Sequence, residues 1–339
     1  MSPRVLIVAA LIATLAAPIA IGGGQVLRQA LNVPAHVYVT LLVAVAIYWL
    51  ARAFKLHLLM HRLEVRPRFA RTLAISLATD FAFISSPGGV AGYAAGIYYS
   101  RREGASLSAA ATITAADQFL DLAFFSIALP LAGLTLLSSN LPRALSTLAF
   151  TTSALVVALV VIVLAVRCEF MRWLLGNNAV VRRWPRLRRR QYLLREIFDT
   201  FSAHLRLLVG SSRAYLVALA FLTATQWLAR YGTLWIALWL LGHPVPFALT
   251  LLLQSLILHA AMWTGVPSGG GSAELGLTAT LAPWVPISTI ATSLLLWRIA
   301  TFHVCLIAGV AAVARLAQWH PRTAQRPTIG PPVTEDGLI

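Results

Sequence analysis

Charge is what this sequence has least of. Asp, Glu, Lys and Arg make up 11% of it, against 59% hydrophobic residues, where a soluble domain carries about 25% charged residues. So little charge cannot clothe a water-exposed surface, and mean hydropathy is +0.78, so a soluble globular protein is excluded in favour of an integral membrane protein. Cysteine is also scarce. Cys168 at a loop edge and Cys305 within an apolar run are the 2 cysteines, and they imply no disulfide framework. Lys55 is the only lysine. No Gly-x-x-x-x-Gly-Lys loop occurs, which removes direct ATP drive. No nucleophile–base pair or metal-ligand cluster stands out either, so catalysis is not expected and no cofactor or metal is implied. His57 and His61 have a zinc-compatible spacing on a helix, but with no third ligand they read as part of a solvated basic face. Lys+Arg outnumber Asp+Glu 27 to 11. The excess lies in loops beside apolar runs, so topology and anionic lipid explain it and nucleic acid does not.

What the sequence has is long apolar runs. Spanning takes about 20 apolar residues per helix. Runs at 5–21, 35–51, 107–137, 144–166, 214–241 and 287–314 read as six transmembrane helices. The first could pass for a signal peptide, but it is long for one and many spans follow. After the second run comes a basic stretch, Arg52, Lys55, Arg62, Arg66, Arg68 and Arg71 against a lone Glu64. The positive-inside rule then places both termini in the cytoplasm of a multi-pass protein of the cell (plasma or inner) membrane. A cytoplasmic loop at 167–213 carries Arg182, Arg183, Arg186, Arg188, Arg189 and Arg190 beside the helical pattern Leu194, Ile197, Phe198, Phe201, Leu205, Leu208. That reads as an amphipathic helix on anionic inner-leaflet lipid. An ordinary positive-inside loop explains the charge equally well. The tail, 315–339, is basic, Pro-rich and expected to be disordered.

Two stretches ought to break the apolar runs they sit in. Ser86-Pro87-Gly88-Gly89-Val90-Ala91-Gly92 is followed about 180 residues later by Pro267-Ser268-Gly269-Gly270-Gly271-Ser272. Proline removes a donor and glycine weakens regular structure, so in hydrocarbon such a break survives only where protein or a watery cavity covers it. The segments 72–99 and 247–283 therefore read as re-entrant hairpins, the first with basic flanks and the second with none, inserted from opposite faces; a single kinked span is the alternative for 72–99. Gly88, Gly92 and Gly96 recur every four residues and form one smooth face for close packing. The expected fold is an all-α polytopic membrane protein. It has about six transmembrane helices plus two oppositely oriented re-entrant hairpins in one domain, 1–314, as in inverted-repeat transporters.

Charges at membrane depth cost about 2.5–3.5 kcal/mol on insertion scales. The sequence places Asp80 in the first hairpin, Asp117 and Asp121 beside Gln118 on the next span, and Glu274 after the second break. Arg230 sits mid-span in line with Thr223, Gln226 and Thr233, and Arg298 lies in the last span. They read as lining one polar cavity. The alternative for each is interhelical pairing that fixes the bundle, as between Glu274 and Arg298. A hairpin arm that starts at mid-membrane aims its positive dipole end into that cavity. With Arg230 and Arg298 the site favours an anionic group.

The run SPGGVAGYAAGIYYSRREGASLSAAATITAADQFLDL and the later run PSGGGSAELGLTATLAPWVPISTIATSLLLWRIATFHV resemble the two signatures of the lysylphosphatidylglycerol synthase transmembrane-region family, also described as flippase-like. Pro87, Gly88, Gly89, Gly92, Arg101, Asp117 and Asp121 match its first half. Pro267, Gly269, Gly270, Glu274 and Arg298 match its second. The chain departs from the family pattern at Tyr93, Gly96 and Gln118, where Glu, Arg and Arg are usual. The resemblance implies transbilayer movement of a phospholipid, glycolipid or polyprenyl-linked lipid. Movement would be downhill or coupled to ions, and the buried carboxylates Asp80, Asp117, Asp121 and Glu274 are then the proton-carrying candidates. The soluble aminoacyltransferase domain of bifunctional members is not expected after residue 314. An ion-coupled solute transporter and a scaffold presenting lipid to a partner synthase or glycosyltransferase remain as alternatives. A homodimer is compatible with the sequence.

Overall fold

In a computed structural model, the described residues are 3–137, 151, 203–204, 206–208, 210–262 and 264–319. The expected span 144–166, nearly all of the basic loop with its arginine cluster, and the tail beyond 319 lie outside them. The described residues form helices and turns, with no strand among them.

Helix α1 (Pro3–Gly22) ends at the Gly22-Gly23-Gly24 run, where the chain turns by 105° into a short helix, α2 (Gln25–Asn32). Helix α2 buries Val26 and Ala30 against Ala291 and Leu295 of the last span. Helix α3 (Ala35–Arg62) starts just after Pro34 and runs well past the expected end near Ala51. Nothing between Ala51 and Leu63 breaks it: the segment holds no Pro or Gly, and its apolar residues keep the helical period. Arg52 and Lys55, expected in a solvated cytoplasmic stretch, are therefore carried on a helix face that is buried. His57 Nδ1 lies 3.0 Å from the Thr72 hydroxyl, and His61 Nδ1 lies 3.0 Å from the His57 carbonyl.

The first break is a helical hairpin. Helix α4 (Phe69–Ser85) leads through a one-turn 3₁₀ segment, Pro87–Gly89, into α5 (Val90–Arg102). A Cβ at Gly92 would meet Phe83, and one at Gly96 would meet Thr79, so the arms run antiparallel. Gly92 and Gly96 supply the close approach. Gly88 instead sits in the turn at φ 63°, beside Gly89 at φ 72°, a region only glycine enters readily. Helix α6 (Leu107–Leu137) follows as one piece despite Pro130.

The second half begins, among the described residues, with α7 (Arg213–Leu240), whose first turn is capped by the Ser212 hydroxyl accepting from the Tyr215 amide. Helix α8 (Phe247–Met262), a 3₁₀ turn at Pro267–Gly269 and α9 (Ser272–Leu281) make the second hairpin. Its turn repeats the first one's backbone, with Ser268 at φ 54° and Gly269 at φ 62°. The last span is α10 (Ile287–Arg298), a π turn at Ile299–His303, and α11 (Val304–Gln318). It continues past the expected end at residue 314, and Arg102 and Arg71 hold Trp319 at its foot.

Three described helical stretches are long and apolar enough to cross a bilayer, Ala35–Arg62, Leu107–Leu137 and Ile287–Gln318, and a fourth if bent α1–α2 is one span. Helix α7 has the length, but Gln226 and Arg230 interrupt its apolar character. Packing in one half has counterparts in the other: α3 with α4 and α7 with α8, α5 with α6 and α9 with α10. The two halves join where α3 lies along α7, and the two hairpin turns touch, with Met262 over Gly89.

A Cβ added at Gly92 would sit 2.2 Å from Phe83 Cγ, whereas one at Gly24 has nothing within 4 Å. Gly92→Ala should therefore destabilise the protein by about 1–3 kcal/mol through overpacking. Gly24→Ala, at an ordinary right-handed position, should stabilise it by about 0.4–1 kcal/mol. Thermal unfolding of the two variants in detergent micelles checks the opposite signs.

Candidate functional site

Where the two hairpin turns meet, α3, α4, α6 and α7 enclose a cavity of about 320 Å³. Asp80, Gly88, Gln118, Asp121 and Arg230 line it, as do Ser86 and Ser268 from the two turns. A second recess of about 20 Å³, room for roughly one water, adjoins it through Arg52 and Gln118 and is lined by Gly92, Gly96 and Asp117. Tyr93 and Gln118, two of the positions that depart from the family pattern, face the larger cavity, and Gly96 the smaller recess.

The carboxylates here are not left uncompensated. Helix α3 presents Tyr48, Arg52 and Lys55 on one face, at the i, i+4, i+7 spacing that stacks side chains along a helix. Tyr48 donates to Asp80 Oδ2 at 2.6 Å, and Arg52 Nε lies 3.1 Å from Asp80 Oδ1. Lys55 is fully buried, with its ammonium 2.7 Å from both Asp117 Oδ1 and Asp121 Oδ1. Toward Asp121 the contact has hydrogen-bond geometry. One lysine thus neutralises part of two aspartates a helical turn apart. Such networks gain little net stability over apolar packing but penalise the loss of any one member.

Arg230 is different. Its guanidinium stacks 4.9 Å from the centre of the Tyr48 ring. Of the three cations around this network it alone forms no ion pair with a carboxylate among the described residues. It lines the cavity.

Glu274 and Arg298 do not join this set. Arg298 Nε donates to Glu274 Oε1, and Glu274 Oε2 accepts from the Gly271 amide at 2.7 Å, closing the first turn of α9. Arg298 also donates to the Ser268 hydroxyl at 3.2 Å. Ser268 is a non-glycine residue in the left-handed region, a conformation that costs on the order of 1–3 kcal/mol and persists only when its surroundings hold it. The pair expected as the structural alternative is what forms: it braces the second turn and lines neither cavity. Pro267, Gly269 and Gly270 are buried parts of that brace, with Gly269 against Ala261 and Gly270 against Thr14 of α1. Pro87 and Gly89 build the first turn. Arg101 is exposed in the last turn of α5 and lines neither cavity.

Sequence reasoning missed Tyr48, Arg52, Lys55, Trp227, Tyr231 and His259, of which all but Lys55 line the larger cavity. The legible signal was the single lysine standing in helical register with Tyr48 and Arg52. Lys55→Met should lower stability by about 3–5 kcal/mol, the cost of stranding buried carboxylates. Lys55→Met combined with Asp117→Asn and Asp121→Asn should recover much of it. Denaturation midpoints of the single and triple variants check this.

The profile of the lysylphosphatidylglycerol synthase TM region matches residues 4–309. Over 279 residues the chain is 22% identical to a UPF0104 membrane protein of Archaeoglobus fulgidus, a match covering 78% of this chain and 82% of that relative. The match runs through both hairpins, the ion network and the Glu274–Arg298 brace, and the chain belongs to the lysylphosphatidylglycerol synthase transmembrane-region family, a family of multi-pass membrane proteins.

Proposed function

We propose that this chain moves a lipid with an anionic head group between the leaflets of the cell membrane, as a flippase or scramblase, without itself carrying out catalysis. In this reading the hairpins are re-entrant from opposite faces of an inverted repeat, and both termini are cytoplasmic. The head group enters the cavity between the hairpin tips while its chains stay in hydrocarbon. Arg230 carries the reading. It is a cation in a polar cavity at membrane depth with no carboxylate partner among the described residues, and leaving such a charge unused is costly.

The chemistry follows from the charges. Asp80, Asp117 and Asp121 each touch Arg52 or Lys55, and Arg230 brings the three acids and three bases to formal neutrality, so an arriving phosphate meets Arg230 rather than a field of bare carboxylates. Tyr93, Gly96 and Gln118 take charge out of the first hairpin region, which narrows the reading of the head group to one arginine. Asp121, which faces the cavity beside Lys55, is the proton carrier if movement is ion-coupled.

The test is leaflet exchange of fluorescent phosphatidylglycerol in liposomes holding the purified protein. A hydrogen-bonded charge contributes about 1.5–3 kcal/mol, so Arg230→Ala should slow exchange roughly tenfold or more, while Arg101→Ala leaves it unchanged. Folded protein that exchanges no anionic lipid or glycolipid would sink the proposal. Exchange that ignores Arg230 would rule out its anchor.

A further inference from the structure

Beside the polar cavity lies a third and larger space, an apolar groove of about 530 Å³ between α6, α7 and α8. Small residues hollow it out: Ala128 and Ala132 on α6, Ala220 and Ala224 on α7, and Ala248 on α8. Its two hydroxyls are turned inward, Thr135 donating to the Ala132 carbonyl and Thr223 to the Leu219 carbonyl. The groove therefore presents no polar group to an occupant among the described residues.

A wall of three rings, with Leu258 beside them, is shared by the two spaces. Phe125, Trp227 and Tyr231 line the polar cavity, and the same three pack in one apolar cluster with Ala128, Ala132, Phe247, Ala248 and Leu251. Ring centres are 4.8 Å apart for Phe125 and Trp227, 5.6 Å for Trp227 and Tyr231, and 5.7 Å for Phe125 and Tyr231. His259, on the cavity side, closes the edge of Phe125 at 6.0 Å.

We infer that the groove seats one acyl chain of the lipid whose head group enters the cavity, and that Phe125, Trp227 and Tyr231 are the partition between chain and head. This rests on the cavity reading above. A ligand using both spaces must be charged at one end and wholly apolar at the other. Because the surrounding lipid is as apolar as the groove, the chain gains little affinity there. The groove's effect is to set register, holding the glycerol end against the ring wall so that the head points at Arg230. Filling it should slow movement and leave head-group binding alone.

The experiment uses the full chain in nanodiscs with phosphatidylglycerol carrying a photoreactive diazirine on one acyl chain. In the wild type, crosslinks should map to the walls on α6, α7 and α8. Ala224→Trp and Ala248→Phe, which fill the groove from different helices, should each reduce those crosslinks and slow leaflet exchange at least about fivefold. Saturation by chain-free glycerol phosphate should stay at the wild-type level. Two folded variants that exchange lipid at the wild-type rate overturn the inference. So does a cysteine at position 224 that crosslinks to residues 144–166, which would show that the chain itself covers the groove. Loss of glycerol phosphate binding in the wild type would instead count against the cavity reading, since the acyl crosslinks are scored independently of it.

Discussion

A lysine with no exposed surface is the constraint on which the site's geometry depends. Lys55 can stay charged there only with anions in direct contact, because the effective dielectric is low and water is excluded. Asp117 and Asp121 on α6 meet that demand, and Arg52, one turn earlier, does the same with Asp80 on α4. Three helices are thus fixed in rotation and height to within the reach of a side chain. With α3 also packed along α7, the Tyr48 ring comes under Arg230. The cavity is the space left over once these pairs are made.

The two hairpin turns share a backbone and differ in chemistry. Each places its second and third residues in the left-handed region after a proline. The first uses two glycines, which adopt it readily, and is backed by an exposed Tyr93 and a smooth glycine face. The second puts a serine there and holds it through Arg298, itself tied to Glu274. One tip is permissive and the other braced, an asymmetry within a repeated architecture. If one hairpin shifts when lipid passes, the unbraced first is the one with fewer bonds to break.

Family membership and local geometry also divide the site residues by role. The matched Glu274 and Arg298 serve the frame, and the matched Asp117 and Asp121 serve the ion network. Arg230 lines the cavity and stacks on Tyr48 instead. Arg101, matched to the family pattern, stands apart from both cavities on the exposed end of α5.

Composition settled the class of this protein by itself: 11% charge cannot cover a water-exposed surface, and in hydrocarbon long apolar stretches must be helical because every backbone group has to bond within its own segment. Pro87-Gly88-Gly89 and Pro267-Ser268-Gly269 marked both turns from sequence, since proline and positive φ act within a few residues. Asp80, Asp117 and Asp121 were visible as charges out of place. Their partners were not. Arg52 and Lys55 look like the start of a basic loop, and only the packing of α3 against α4 and α6 turns them inward. Whether a buried charge is paired, bracing or free depends on distances between helices that no local pattern encodes. That is why Arg298 and Arg230, equivalent in the sequence, became a strut tied to Glu274 and a cavity-lining cation stacked on Tyr48.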